Sequence, residues 1–205
     1  MKLNRLTIIG CFIALLAPAL ATHSAAQSGE SGDLKTNMVE VRTFDGLSVI
    51  PTAGASLSRN NDGAFMTFHT SGLTPGNVVT LWWAFFNNPK NCATQGCSPA
   101  DLANPLVNAS LQYGGGRIVG IDGSVSFGGF LAVGDNTGFE IRPGMPNPAP
   151  GLVRPNKATI HLVVRSHGPA STDPTVLSQQ LTSFGGGCST ANPCSNIQAA
   201  VFRSN

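Results

Sequence analysis

The sequence has few charged residues and no run of basic ones. Only 11% of its 205 residues are Asp, Glu, Lys or Arg, whereas 41% are hydrophobic. Without Lys2 and Arg5, which belong to an N-terminal segment described below, 10 basic and 10 acidic residues remain, so the net charge is near zero. The lack of a Lys/Arg cluster makes nucleic acid and anionic membranes poor candidates for a partner.

Motifs of common hydrolases and metalloproteins are also missing. There is no Gly-x-Ser-x-Gly nucleophile elbow, no EF-hand spacing and no blue-copper ligand run. Ser166 and His167 are neighbours, and neighbours on a strand point to opposite faces, so they do not form a nucleophile–base pair. These absences favour a protein that is not an enzyme, without excluding one.

The N-terminus has the pattern of a secretory signal peptide. Lys2 and Arg5 precede an apolar run from Leu6 to Leu20, and small residues near Ala21 and Ala26 offer cleavage sites. The run is too short for a membrane span, so we expect no transmembrane segment. Residues 1–26 are therefore predicted to be removed, and the protein to be secreted or periplasmic. Lipidation at Cys11 is disfavoured, because most of the apolar run follows Cys11.

Four cysteines remain after that cleavage, and an even set in an exported chain indicates disulfides. Their spacing favours two local bridges, Cys92–Cys97 and Cys188–Cys194, although four cysteines allow three pairings. A zinc site is the alternative, but these spacings are looser than the usual Cys-x2-Cys knuckle.

Short apolar stretches separated by turn residues predict an all-β fold. With 24 Gly and 14 Pro, the chain favours many short elements. We expect a flexible lead-in over residues 27–36, then a single domain over 37–205: a two-sheet antiparallel β-sandwich, Ig-like or cupredoxin-like Greek key, with two short helices in loops, after Ser98 and over Pro174–Thr182. The predicted strands are Met38–Phe44, Leu47–Ile50, Ala64–Thr70, Asn77–Phe86, Val107–Tyr113, Arg117–Ile121, Ser124–Val133, Phe139–Arg142, Ala158–Ser166 and Asn196–Arg203. Asp122-Gly123 predicts a hairpin.

Three histidines are candidate metal ligands for copper or zinc: His69, His161 and His167. His161 and His167 share one face of a strand, but six residues separate them by roughly 20 Å if the strand is straight. A site would therefore combine His69 with one of the other two across strands. The alternative is that His161 and His167 are hydrogen-bonded residues at the surface or under a covering loop.

Three further residues are candidate ligand-binding side chains. Trp82 and Phe86 lie on one face of Asn77–Phe86, and if they are exposed they would form an apolar platform for a glycan or a partner protein at the cell surface. Alternatively, the cysteine-containing segment 87–105 covers them. Arg165, beside His167, could bind an anion or form an internal salt bridge.

Several segments together resemble an uncharacterised group of secreted bacterial proteins. They are Gly72–Trp83, Asn87–Pro89, the Cys92/Cys97 pair with Asp101-Leu102, Ile160–Pro169 and the Cys188/Cys194 pair. The first of them is also similar to a strand pair of extracellular Ig-like modules. The resemblance implies an exported β-sandwich and no particular activity, since fold likeness does not transfer function. The sequence thus predicts a disulfide-stabilised binding or structural module, with a metal-binding protein as the alternative.

Overall fold

The structure of the protein is a computed structural model that describes residues 34–204. The signal peptide expected over residues 1–26, and residues 27–33 of the expected lead-in, lie outside the described residues. The first strand begins at Lys35, inside the range expected to be a flexible lead-in. Within the described range, no helix is both long and apolar enough to cross a membrane.

Strands account for most of the regular structure between residues 34 and 204. The single α-helix in this range follows Asp173, whose carboxylate accepts hydrogen bonds from the Thr175 and Val176 N–H groups and so caps it. The elements in chain order are β1 (Lys35–Val39), β2 (Arg42–Thr43), β3 (Gly54–Arg59), β4 (Gly63–Thr70), β5 (Asn77–Phe86), a 3-10 turn (Pro89–Asn91), a 3-10 turn (Pro99–Ala103), β6 (Ala109–Ile118), β7 (Val125–Ala132), β8 (Thr159–Pro169), α1 (Pro174–Thr182) and β9 (Ser195–Phe202).

The strands form two antiparallel sheets that pack face to face. One sheet has the order β1-β3-β4-β7, and the other has the order β2-β9-β8-β5-β6. Alternation along β4 points Met66 and Phe68 inward, where they share one buried cluster with Trp83 of β5 and Leu162 of β8. The prediction of an all-β, two-sheet antiparallel sandwich is confirmed.

Several predicted boundaries differ from the structure. Strand β3 was not expected, whereas Leu47–Ile50 and Phe139–Arg142 each contribute only an isolated bridge. Gly114–Gly116 lies inside one continuous strand, β6, instead of separating two strands. These glycines admit close neighbours, since a β-carbon at Gly116 would collide with the Leu181 carbonyl of α1. The helix expected after Ser98 is a 3-10 turn.

The turn at Asp122-Gly123 does not close a hairpin. It connects β6 of the five-stranded sheet to β7 of the four-stranded sheet. Gly123 has a positive φ of 69°, and its carbonyl accepts a hydrogen bond of 3.0 Å from the Leu73 N–H. The positive φ of Gly123 was therefore predictable from the Asp-Gly dipeptide, but the change of sheet at this turn was not.

Both expected disulfides are present. Cys92 bonds to Cys97 with Cα atoms 5.1 Å apart, and Cys188 bonds to Cys194 with Cα atoms 5.3 Å apart. The local pairing predicted from the spacing is therefore confirmed. The Cys92–Cys97 bridge packs against the apolar cluster on the outer face of the five-stranded sheet, and Cys194 Sγ lies 3.5 Å from His167 Nδ1. The outer face of this sheet carries the candidate site.

Candidate functional site

The outward face of β5 carries the aromatic residues that the sequence singles out. Alternation along the strand directs Trp83 into the main core and sends Trp82, Ala84 and Phe86 to the opposite face. Trp82 is 2% exposed and Phe86 is 1% exposed. The segments that follow β5 cover both side chains, so the structure does not present them as an open platform.

The first covering segment is the loop that contains the Cys92–Cys97 disulfide, and the Asp101 carboxylate organises it. Asp101 accepts hydrogen bonds from the Ala93 N–H at 2.9 Å, the Ser98 N–H at 2.8 Å and the Ser98 hydroxyl at 2.9 Å. Burial works to raise the pKa of Asp101, but these hydrogen bonds outweigh it and lower the pKa below its ordinary value. The carboxylate therefore stays charged and holds the loop in one shape.

The cover is incomplete and leaves a cavity of ≈ 310 Å³ over the outer face of the five-stranded sheet. We call it the outer-face cavity. Its volume lies at the lower end of the range in which proteins bind small molecules, about 300–1,000 Å³. The surrounding side chains are mostly apolar, and its lining residues are Phe44, Trp82, Ala84, Phe86, Pro99, Ala100, Leu102, Ala103, Leu111, Arg142, Pro143, Met145, His161, Val163, Phe184 and Asn196.

His161 is the titratable group in the floor of the outer-face cavity. Its Nε2 lies 2.7 Å from the Gly96 carbonyl oxygen, and its ring centroid lies 4.9 Å from that of Phe86. A carbonyl only accepts, so Nε2 carries the proton and the unprotonated Nδ1 is an acceptor. Burial lowers the pKa of His161, against opposing contributions from the Gly96 carbonyl and Asp101. The ring is therefore neutral near pH 7. No described residue donates to Nδ1, so a ligand could.

Two arginines surround Phe184 at the edge of the cavity. The guanidinium carbon of Arg165 lies 4.1 Å from the ring centroid of Phe184, and that of Arg142 lies 4.7 Å away. Arg165 also donates to the Phe184 carbonyl at 2.8 Å and to Asn196 Oδ1 at 3.0 Å. Arg165 thus positions two residues that line the cavity. Arg142 is exposed and lines the cavity itself.

A chain of buried hydrogen bonds connects Trp82 to Thr80 and His167. The Trp82 Nε1–H donates to Thr80 Oγ1 at 2.8 Å, and Thr80 Oγ1 lies 2.8 Å from His167 Nε2. His167 Nδ1 lies 2.8 Å from the Gly186 carbonyl oxygen. That carbonyl requires a proton on Nδ1, so the Thr80 hydroxyl donates to Nε2 and every group is satisfied with a neutral imidazole. Burial lowers the pKa of His167 against an opposing contribution from the Gly186 carbonyl, and the nearby charge of Arg165 lowers it further.

The structure does not bring the three candidate metal-ligating histidines together. His69 lies on the exposed face of the four-stranded sheet, where its Nδ1 is 2.9 Å from Ser126 Oγ. His161 and His167 lie on the outward face of the other sheet, across a core about 10 Å thick. Metal–nitrogen distances are about 2 Å, so His69 cannot share an ion with either of them. His161 lies opposite Ala84, whereas His167 reaches Thr80, roughly 13 Å further along β5.

Another group does come close together. Ligand atoms of His167, Cys188 and Cys194 all lie within 4.8 Å of one another. Zinc and copper bind cysteine as the thiolate, and both sulfur atoms are here joined in a disulfide. In this oxidised form the group lacks the thiolate ligands that a metal site needs.

Sequence reasoning missed the part of the cavity that comes from distant loops. Phe44 follows β2, Arg142 and Met145 lie in the irregular segment before β8, and Phe184 follows α1. Met145 and Phe184 lie outside every predicted element, whereas Phe44 and Arg142 end the predicted strands Met38–Phe44 and Phe139–Arg142, and nothing in those strands indicated a cavity. The available signal was indirect: β5 is apolar on both faces, so its outward face needed a cover.

Comparison of the chain with protein-family models and with the sequences of curated proteins finds no match. The functional conclusion therefore depends on the geometry of the site.

Proposed function

We propose that this protein is an exported binding module that takes a small apolar ligand into the outer-face cavity. The observation that carries the proposal is a cavity of ≈ 310 Å³ whose walls are aromatic and aliphatic and whose few polar groups converge from different elements. Pockets of this kind bind an apolar body and use a small number of polar contacts for orientation.

The polar groups indicate which ligands would fit. His161 Nδ1 offers an acceptor in the floor, so a hydroxyl or N–H on the ligand would pair with it. Arg142 offers an exposed positive charge at the edge. The best match is a ring-containing molecule with a hydrogen-bond donor at one end and an anionic group at the other.

The lining favours binding over catalysis. The residues around the outer-face cavity include no Ser, Thr, Cys, Lys, Asp or Glu, so the lining supplies no hydroxyl, thiol, amine or carboxylate nucleophile, and His161 has no partner there for an acid–base pair. The two disulfides and the lack of a membrane-spanning helix in the described range are compatible with a periplasmic or extracellular location. Metal binding through His69 is not proposed, because His69 lies on the far face of the sandwich.

A pair of fluorescent probes tests the proposal. 8-Anilino-1-naphthalenesulfonate has an aromatic body and one anionic group, and N-phenyl-1-naphthylamine is its neutral counterpart. A Trp83→Phe variant leaves Trp82 as the single tryptophan. We expect both probes to bind this variant with 1:1 stoichiometry and to receive energy from Trp82. Arg142→Gln should weaken only the anionic probe, by about 1.5- to 5-fold, the range expected for an exposed ion pair.

Blocking the cavity provides the matched comparison. Ala100 is exposed and lines the cavity, so Ala100→Trp places an indole over it without disturbing a buried position. Ala191 is also exposed but lies in the Cys188–Cys194 loop and does not line the cavity. Ala100→Trp should abolish binding, and Ala191→Trp should preserve it, with circular dichroism unchanged in both. Equal binding by the two variants, or no energy transfer from Trp82, would overturn the proposal.

A further inference from the structure

A second concave region borders residues 87–96, the first half of the loop that also covers the outer-face cavity. It encloses ≈ 460 Å³, and four of its lining residues are cations: Lys90, Arg154, Lys157 and Arg203. Arg154 and Lys157 are near neighbours in the sequence, but Lys90 and Arg203 come from distant segments, so the fold gathers the four. The remaining lining residues are uncharged, and they are Asn87, Asn88, Pro89, Gln95, Gly96, Thr159 and Ser204.

These four cations have no ion-pair partner among the described residues. The ion pair found between residues 34 and 204 is the one between Arg42 and Glu40, with nitrogen and oxygen 3.1 Å apart. Arg154 makes one long contact, 3.5 Å, to the side-chain oxygen of Asn88. The region therefore has a concentrated positive charge that the described protein groups do not neutralise.

A fifth cation lies behind this region. Arg59 is 1% exposed, and it donates to the carbonyl oxygens of Pro155 at 3.1 Å, Ala158 at 2.8 Å and Arg203 at 3.2 Å. These carbonyls belong to the two segments that carry Arg154, Lys157 and Arg203. Arg59 therefore fixes those segments relative to each other.

The environment of Arg59 is unusual for a buried charge. Buried cations are normally paired with a carboxylate, whereas Arg59 has only neutral carbonyl partners among the described residues. Burial lowers the pKa of Arg59 to about 10. An anion held nearby would stabilise the charge of Arg59 as well as that of the surface cations.

We propose that the depression lined by Lys90, Arg154, Lys157 and Arg203 binds an acidic saccharide, a sugar with two or more carboxylate, sulfate or phosphate groups. Four separate cations match several anionic groups, and the Gln95 amide and the Ser204 hydroxyl, whose side chains make no hydrogen bond among the described residues, match sugar hydroxyls. The depression is larger than a single inorganic ion requires, and its concave shape does not suit a flat membrane surface. The site is distinct from the outer-face cavity, so the two proposals stand or fall separately.

The test uses fluorescence anisotropy with four labelled probes. They are a sulfated heparin-type hexasaccharide, an oligogalacturonate hexamer, neutral maltohexaose and single-stranded DNA of the same charge as the sulfated probe. Unlabelled glucose 1,6-bisphosphate and inorganic phosphate serve as competitors. We expect at least one acidic saccharide to bind, maltohexaose not to bind, and binding to weaken as NaCl rises from 20 to 200 mM because salt screens exposed charges.

The variants locate the site. Arg154→Gln/Lys157→Gln removes two lining charges and should weaken binding about tenfold, from two exposed pairs of about 0.7 kcal/mol each. Lys35→Gln/Arg117→Gln removes two exposed charges elsewhere and should leave affinity within about twofold. Equal losses in both variants, no binding of any acidic saccharide, or equally tight binding of the DNA would each overturn the proposal. Competition by the bisphosphate alone would assign phosphate as the anionic group, and competition by neither small molecule would assign a longer acidic saccharide.

Discussion

Thr80→Val should destabilise the fold far more than an ordinary loss of one hydroxyl. The Thr80 hydroxyl joins the indole N–H of Trp82 to His167 Nε2, with both distances 2.8 Å. Trp82 is 2% exposed, and Thr80 and His167 are fully buried. Valine keeps the shape of threonine but leaves a buried donor and a buried acceptor without partners.

The magnitude follows from those two groups. Each unsatisfied buried group costs about 1–3 kcal/mol, so the free energy of unfolding should fall by about 2–6 kcal/mol. For a domain of this size, that loss lowers the melting temperature by about 5–15 °C. Urea unfolding followed by circular dichroism measures the free energy, and differential scanning calorimetry measures the melting temperature.

Thr67→Val is the matched control. Thr67 lies on the exposed face of the other sheet, and its hydroxyl is 2.6 Å from Ser56 Oγ. Water can replace that partner, so the change should stay within about 0.5 kcal/mol. In a Trp82→Phe background, which removes the indole N–H, Thr80→Val should cost about 1 kcal/mol less than in the wild type. If Thr80→Val costs no more than Thr67→Val, the buried hydrogen-bond chain does not exist as described.

Three other predictions concern stability. The pKa of His161 in the folded protein is depressed below 6.5, so the unfolded chain takes up the proton first and stability should fall as the pH drops below about 6.5. In urea titrations, His161→Gln should lose less stability than the wild type between pH 7 and 5. An unchanged pH profile of stability in this variant would contradict the prediction. Replacing both Cys92 and Cys97 by alanine should lower the free energy of unfolding by about 2 kcal/mol, the value expected for a loop of this length. In that variant, dithiothreitol should lower the stability further only by reducing the Cys188–Cys194 bridge. Arg59→Lys should cost about 2 kcal/mol or more, because one ammonium cannot reach three separate carbonyls; Arg117→Lys, at an exposed position, is its control and should be nearly neutral.

The sequence contains enough information for the core strands of the sandwich. Strands β5 and β8 alternate clearly, and a strand that is apolar on both faces, such as Asn77–Phe86, has to lie centrally and be covered. The disulfides were also predictable, since cysteines five and six residues apart close short loops with suitable Cα distances.

The missed elements were decided by tertiary contacts. Strand β3 has alternating burial, with Ala55 and Leu57 inward, but its outward serines gave it a loop-like composition. The glycines of β6 looked like a break, but they lie inside the strand, and one of them, Gly116, is where α1 approaches the strand closely. Short-range patterns cannot encode the approach of a helix more than fifty residues later.

The residues of the candidate site also fall into those that the sequence pattern identified and those that it missed. Trp82, Phe86 and His161 were identified from alternation, and the structure places all three in the lining of the outer-face cavity. Arg142 and Phe184 were not identified, because they stand on loops whose positions depend on packing. His161 and His167 are separated along β5 by roughly 13 Å, less than the roughly 20 Å expected for a straight strand, and His69 could be assigned to the far sheet only from the strand order.

The most direct test of a ligand site over Trp82 is a two-dimensional ¹H–¹⁵N spectrum during titration with 8-anilino-1-naphthalenesulfonate. The sequence has only two indole N–H groups, Trp82 and Trp83. Our account predicts that the Trp82 indole signal and the backbone signals of residues 99–103 shift together, while the Trp83 indole signal does not. Shifts confined to the exposed Phe65–Phe130 pair on the opposite sheet, with the Trp82 signal unchanged, would contradict it.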